Sequence, residues 1–216
     1  IRQVLKWPVQ TRHARHDAAD LRALQQLAPI VTGYVPWSGS SLAPQTALQM
    51  CNELALNERR TIVELGSGVS TLIMAMWAES ERTGIRVTSV DEDDSWIRLM
   101  NSKVQRFHYI DISFVHAPLK EYASPLASMH VARWYDTEAV DHVVGPVDML
   151  LVDGPTAYRS DWRFDRWPAL PRLVDRLSPS CAVLLDDTSR SGESKVLGSW
   201  LDLYPDFDPR PSGPAT

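Results

Sequence analysis

Between residues 60 and 205, short apolar runs alternate with longer stretches in which apolar positions return every three or four residues. The short runs fall at 61–65, 85–91, 110–115, 147–153 and 181–186 and are rich in Val, Ile and Leu. That is the pattern of strands covered on both faces of a parallel sheet. The longer stretches predict helices at 69–82, with Leu72, Ile73, Met76 and Trp77 on the apolar stripe, and at 94–106, with Ile97, Met100 and Val104 inward. Two more are expected, one from Pro168 or Pro171 to Leu177 and one over 193–204 with Val196, Leu197, Trp200 and Leu201 inward. Upstream, Leu21, Leu24 and Leu27 mark a helix over 18–28, and residues 33–41 read as a loop. Pro44 opens a helix to 57 with Ala47, Cys51 and Leu54 on one face, since proline suits a first helical turn. Residues 119–145 follow neither period, and the stretch 205–216, with four prolines, is expected to be loosely held.

Strand and helix in regular alternation make βαβ units. The fold class expected is therefore α/β, a doubly wound, mostly parallel sheet of Rossmann-like form. Residues 1–43 read as an N-terminal extension with a covering loop, 44–204 as the main domain, and 205–216 as a Pro-rich tail. A chain of 216 residues has room for one such domain with a substantial core.

Charge and cysteine content narrow the function classes. Basic residues number 22 against 27 acidic, a net charge of −5, without the basic footprint of a nucleic-acid binder. The basic residues Arg2, Lys6, Arg12, Arg15 and Arg22 near the start read as solvated surface. The two cysteines, Cys51 and Cys181, read as small core residues, with no spacing that suggests zinc or a disulfide framework. No apolar run approaches 18 residues, so no membrane partner is expected and a cytoplasmic location is the default.

The candidate chemistry sits where the strands end, because ligands of open parallel sheets bind beyond the carboxyl ends of the strands. The first strand delivers Glu64 and the turn Gly66-Ser67-Gly68, which leads into a helix N-terminus at Val69-Ser70-Thr71. Glycines there let backbone approach a ligand, and the free N–H groups of the first helical turn attract a negative group. The second strand delivers Asp91 and Glu92, the third His116 and Ala117, the fourth Asp153-Gly154, and the fifth Asp186-Asp187. A dinucleotide dehydrogenase would carry G-x-G-x-x-G and an acid one strand later. Here an acid, Glu64, precedes the first glycine by two residues.

The stretch Glu64-Leu-Gly-Ser-Gly-Val-Ser-Thr71 resembles motif I of the class I methyltransferases that use S-adenosylmethionine. With it go Val90-Asp-Glu-Asp93, Val115-His-Ala-Pro-Leu119, Asp148-Met-Leu-Leu-Val-Asp-Gly-Pro155 and Leu184-Leu-Asp-Asp187. Their order and spacing are similar to those of small-molecule O-methyltransferases, most of all the bacterial group known as methyltransferase family 24, over roughly residues 35–204. The resemblance implies that Glu64, Gly66, Ser67, Gly68, Ser70, Thr71, Asp91, Glu92, His116 and Ala117 bind S-adenosylmethionine. In that assignment the helix N-terminus, with Ser70 and Thr71, receives the amino-acid carboxylate. A carbonyl or Glu64 receives the ammonium, Asp91 accepts two hydrogen bonds from the ribose diol, and His116 and Ala117 border the adenine.

In some members of the wider group an acid after the fourth strand and an acidic pair after the fifth hold a divalent cation. Asp153, Asp186 and Asp187 match that pattern, and three carboxylates would suit Mg²⁺. The catechol-type enzymes place a lysine just after the fourth-strand acid. The stretch Gly154-Pro-Thr-Ala-Tyr-Arg159 has none, which leaves the base open between Asp153 and Asp187. The class I sheet usually closes with a C-terminal antiparallel hairpin, and the ending Asp206-Phe-Asp-Pro-Arg-Pro211 implies that it is incomplete.

The expected partner is a small hydroxylated molecule, with a homodimer a compatible assembly. Nucleic acid is not expected, since Asp153-Gly-Pro155 replaces the Asn/Asp-Pro-Pro-aromatic signature of amino-group methylators. Trp37, Trp134 and Tyr135 could cover the cofactor or line a substrate pocket, but loop aromatics are as often core plugs. Arg159, Arg163 and Arg190 read as surface ion-pair partners, and His13, His16, His108, His130 and His142 as structural or exposed. An NAD(P)-dependent oxidoreductase and a non-catalytic cofactor-binding module are the alternatives, to be told apart by which nucleotide binds and whether it turns over.

Overall fold

The computed structural model describes residues 11–38 and 41–209, with side chains in the first helix described from Ala18 onward. The expectations for Arg2, Lys6, Arg12, Arg15, His13, His16 and residues 210–216 lie outside the described residues. Two helices come first, α1 (Thr11–Leu27) and α2 (Pro44–Leu56). Then follow β1 (Thr61–Leu65), α3 (Val69–Glu81), β2 (Ile85–Asp91), α4 (Asp94–Val104) and β3 (Ile110–His116). An insertion carries β4 (Leu119–Glu121), β5 (Arg133–Tyr135) and the single turn α5 (Thr137–Asp141). The chain resumes with β6 (Val147–Val152), α6 (Ala169–Leu173), β7 (Leu177–Leu185) and α7 (Ser191–Leu203).

The main sheet runs β3-β2-β1-β6-β7 with every pairing parallel, and β4-β5 form a separate antiparallel pair. Because β1 is followed by β2 and β3 on one side and by β6 on the other, the strand order reverses between β1 and β6. That reversal opens the crevice where such sheets bind ligands.

Alternate residues of each strand feed two cores. Ile62, Val87, Met149 and Leu151 face α2, α3 and α4, where Met50, Leu54, Ile73 and Met76 are buried. Val63, Leu65, Val90, Leu150 and Val152 face the other way, onto Trp134, Trp167, Leu170 and Trp200. Both faces are therefore covered, which is why these strands read as continuous apolar runs.

The structure departs from the sequence reading at several places: α1 begins at Thr11 rather than 18, and α6 ends at Leu173 rather than 177. Residues 119–145 are not wholly irregular; β4 and β5, three residues each, are too short to show a period. Strand β7 begins at Leu177 rather than 181, across Ser178-Pro179-Ser180, where the pairing with β6 slips between Val147 and Met149. Near the end, Phe207 packs against the second core and lies 6.3 Å from the Tyr204 ring, so the described part of the tail is held. Among the described residues no antiparallel strand follows α7. No helix among them is long and apolar enough to cross a membrane.

Candidate functional site

The backbone ladder continues past the last strand residues and locks the tips together. Gly66 N–H donates to Val90 O at 2.8 Å, while Asp153 and Gly154 N–H groups donate to Leu65 O at 3.0 and 2.6 Å. Gly66 has a φ of +92°, and a Cβ there would sit 2.8 Å from Gly154 N. Only glycine fits both that conformation and that contact. The glycine turn after β1 thus lies directly against Asp153-Gly154 at the point where the strand order reverses.

Beneath the turn lies Glu64, 0% exposed. Its Oε2 accepts from Thr71 Oγ1 and from Ser89 Oγ, both at 2.6 Å, and Thr71 Oγ1 in turn accepts from Gly68 N–H at 2.9 Å. Oε1 has no partner, although Ser70 lies close by. Burial is the largest cause that pushes the Glu64 carboxyl from 4.5 up to about 7; nearby hydroxyls oppose it and Asp91 adds to it. Ser70 and Thr71, expected to face a ligand, are buried against Glu64 instead, leaving the backbone N–H groups of the first turn of α3 as the outward donors. The N–H groups of Val69, Ser70 and Thr71 lie in the first turn, ahead of the backbone bond from Leu72 N–H to Gly68 O at 3.2 Å.

Asp91 is 6% exposed and ties the second strand tip to the turn. Its Oδ2 accepts from Ser67 N–H at 2.8 Å and Ser67 Oγ at 2.9 Å, and its Oδ1 accepts from Asp93 N–H at 2.9 Å. Of about four lone-pair directions on a carboxylate, one on Oδ1 stays open, so Asp91 can take one further hydroxyl rather than two. Glu92 is half-buried beside it, its carboxyl pushed up first by burial and then by Asp91. His116 is exposed, with Nε2 3.1 Å from Glu92 O, and Ala117 is buried with its N–H on Asp91 O at 2.9 Å. Trp96, in the first turn of α4, donates from Nε1 to Ser67 O at 2.8 Å and covers the turn. Its aromatic position just after the Asp93 cap was the available signal, and the sequence reading missed it.

On the other side of the crevice stand Asp153, Asp186 and Asp187, with one ligand atom each within 4.8 Å of the others. Asp186, 2% exposed, accepts from Ala43 N–H at 3.1 Å and Thr46 Oγ1 at 2.6 Å, which ties the tip of β7 to the start of α2. Asp187, at a φ of +61°, is paired through Oδ2 with Arg190 at 2.8 Å and Arg166 at 3.3 Å. Asp153 Oδ1 is paired with Arg166 at 3.2 Å, while Oδ2 takes no hydrogen bond among the described residues. Burial pushes the Asp153 carboxyl from 3.8 up to about 7, with Arg166 opposing and Asp186, Asp187 and Glu64 adding. Asp187 is pushed up as well, first by burial and then by Asp186.

The three acids are near enough to face one cation, yet Asp186 is already bonded to the start of α2, and the buried guanidinium of Arg166 lies between Asp153 and Asp187.

The aromatics also settle. Trp134 is fully buried core, and Trp37 packs partly buried against the first core. Tyr135 is 1% exposed, and its hydroxyl lies against Gly154 and close to the Glu92 carboxyl. Burial, then Glu92 and Asp91, pushes that phenol well above its ordinary value. Arg159 stacks over Trp162 at 4.4 Å and Arg163 over Phe164 at 4.7 Å, whereas Arg190 joins the acids. His108 is exposed and pairs with Glu79 at 3.1 Å, and His130 and His142 are exposed. Cys51 is buried and Cys181 half-buried, and burial pushes both thiols up to about 12.

Comparison with known proteins gives three findings. The model of a family described as a methyltransferase domain, Methyltransf_24, matches residues 63–188, from β1 through the tip of β7. No curated protein matches this chain. Among solved structures, the S-adenosylhomocysteine-bound methyltransferase PaMTH1 of Podospora anserina aligns over 93% of this chain and 91% of its own, at 12% identity and a TM-score of 0.52, a likeness of fold. A Staphylococcus aureus protein described provisionally as a caffeoyl-CoA O-methyltransferase aligns over 90% and 87%, at 16% identity and a TM-score of 0.47.

Proposed function

The chain belongs to this methyltransferase family and is a class I S-adenosylmethionine-dependent methyltransferase, and on that premise we propose that it methylates a hydroxyl oxygen of a small molecule. The observation that carries the reading is the meeting of the Gly66 turn, Asp91 and Asp153 in one crevice, with an open acceptor on each acid. The residues fit the cofactor's polar groups. The outward N–H groups at Val69, Ser70 and Thr71 suit a carboxylate, and Asp91 Oδ1 suits one ribose hydroxyl. An ammonium at the turn is drawn by the Glu64 carboxyl buried beneath it. Ser67 and Gly68 shape the turn, Glu92, His116 and Ala117 form the adenosine side, and Ser70 and Thr71 act through Glu64.

S-adenosylmethionine supplies an electrophilic methyl group, and the protein's work is to hold the acceptor oxygen in line with it and take its proton. Asp153 is the base in this reading: it lies at the tip of β6, tethered through Oδ1 with Oδ2 free. Asp187 is less suited, since two arginines hold its Oδ2. Incubation with methyl-tritiated S-adenosylmethionine and a panel of phenols and aliphatic alcohols should give base-stable, volatile-free label in at least one acceptor. Asp153→Asn should lower that turnover by about a hundredfold, the scale of a general base. Label found only on amines, protein or nucleic acid would refute the hydroxyl assignment.

A further inference from the structure

We propose that the guanidinium of Arg166 is the resident cation of the acidic cluster, standing where a divalent metal would bind, and that it positions Asp153. Arg166 is 4% exposed, on a segment, Phe164–Leu170, that is buried throughout. Its Nε donates to Pro155 O at 3.2 Å, and its Nη1 donates to Asp186 O and Asp187 Oδ2, both at 3.3 Å. Nη2 donates to Asp153 Oδ1 at 3.2 Å and, closely, to Asp153 O. An arginine has five N–H donors in a fixed planar fork, and this one meets five acceptors: three carbonyls and two carboxylates.

Those acceptors come from the tips of β6 and β7, so one side chain ties together the two strand ends that flank the acceptor side of the crevice. Its backbone is held from both neighbours. Asp165, fully buried, accepts from Ala132 N–H at 2.9 Å and from Arg133 Nε at 3.2 Å, which fastens the segment to the insertion. Trp167 O accepts from Trp200 Nε1 at 2.8 Å, and Trp167 Nε1 donates to Ser199 Oγ at 3.0 Å, which fastens it to α7. The guanidinium cannot swing clear without breaking these contacts.

Arg190, 2.8 Å from Asp187 and 3.7 Å from the buried Glu193, adds a second positive charge on the same side. A divalent cation entering between Asp153 and Asp187 would face both arginines, with both oxygens of Asp186 already bonded to Ala43 N–H and Thr46 Oγ1. Because every N–H of Arg166 is engaged, it offers none to a substrate. It is a positioning residue that leaves Asp153 Oδ2 as the free atom. The cation assignment stands by itself; the positioning of a base rests on the O-methyl-transfer reading above.

The test uses the full chain, stripped with EDTA and titrated with Mn²⁺ under electron paramagnetic resonance. Wild type should leave the free-ion signal undiminished at about millimolar Mn²⁺, far above what a hard-oxygen metal site would need. Arg166→Gln should bind one Mn²⁺, and the double variant Arg166→Gln/Asp187→Asn should lose it. One bound Mn²⁺ in wild type that disappears in Asp187→Asn would overturn the proposal, as would a folded Arg166→Gln that binds none. If Arg166→Gln does not fold, Arg166→Lys serves as the second variant: charge without the fork should still exclude Mn²⁺. Arg166→Lys should also keep S-adenosylhomocysteine affinity within about twofold while kcat falls at least about tenfold with little change in cofactor KM, the pattern of lost positioning. Equal losses of affinity and turnover would overturn the positioning role. Failure of wild type to bind S-adenosylhomocysteine would instead remove the methyltransferase reading and leave the Mn²⁺ result standing.

Discussion

Replacing Glu64 by glutamine tests whether the carboxyl beneath the glycine turn is held protonated in the folded protein. Glu64 is completely buried, its Oε1 is unpartnered, and its folded pKa is pushed from 4.5 up to about 7 by burial. In the unfolded chain the group releases its proton near 4.5, while in the folded chain it keeps it until about 7. Over that window the folded state binds more protons, so stability falls as pH rises. The contribution is fully present below 4.5 and lost above about 7. At about 1.4 kcal/mol per pH unit the loss comes to about 3 kcal/mol, without discount for solvent because the group is inaccessible. Glutamine keeps the shape and the oxygen that Thr71 and Ser89 donate to, and does not titrate. Urea unfolding of wild type and Glu64→Gln, measured from pH 4 to pH 8, isolates the residue, since every other group titrates in both. The variant should gain about 3 kcal/mol on wild type between the ends of that range. A difference that stays flat within about 0.5 kcal/mol would show that Glu64 is ionised in the folded state and refute the reasoning.

Two further variants test the crevice. Gly66→Ala places a Cβ 2.8 Å from Gly154 N at a φ of +92°, and strain plus overpacking should cost about 2–4 kcal/mol in urea unfolding; a loss under about 1 kcal/mol would mean that the two turns are not in contact. Tyr135→Phe removes a buried hydroxyl that crowds Gly154 beside the Glu92 carboxyl, so stability in urea unfolding should change by no more than about 1 kcal/mol; a larger loss would show that a hydrogen bond to Glu92 holds the insertion against the strand tips.

The parallel sheet was legible because each strand is covered on both faces, so Ile62-Val63 and Met149–Val152 read as apolar runs closed by an acid. The glycine turn was legible for the same reason that Gly66 is required: no other residue allows its φ and its approach to Gly154. The direction of the hydroxyls was not. Ser70 and Thr71 follow a turn whose helix N-terminus faces a ligand, yet their side chains turn inward because Glu64, buried below, needs donors. Asp186 looked like a ligand because it neighbours Asp187, but its partner, the start of α2, lies about 140 residues away in sequence. Arg166 went unread altogether. It sits in Phe164-Asp-Arg-Trp167, where no period shows, and a buried arginine runs against expectation unless acids surround it. The signal was one of balance: acids gathered at neighbouring strand ends call for a counter-charge, and Arg166 is brought to Asp153 and Asp187.

Calorimetric titration of S-adenosylhomocysteine into wild type and Asp91→Ala bears most directly on the crevice as the cofactor site. Wild type should show saturable one-to-one binding, and the variant should bind about ten- to a hundredfold more weakly, the worth of one hydrogen bond to a charged acceptor. No heat of binding in wild type, or equal affinity in a folded Asp91→Ala, would contradict the account.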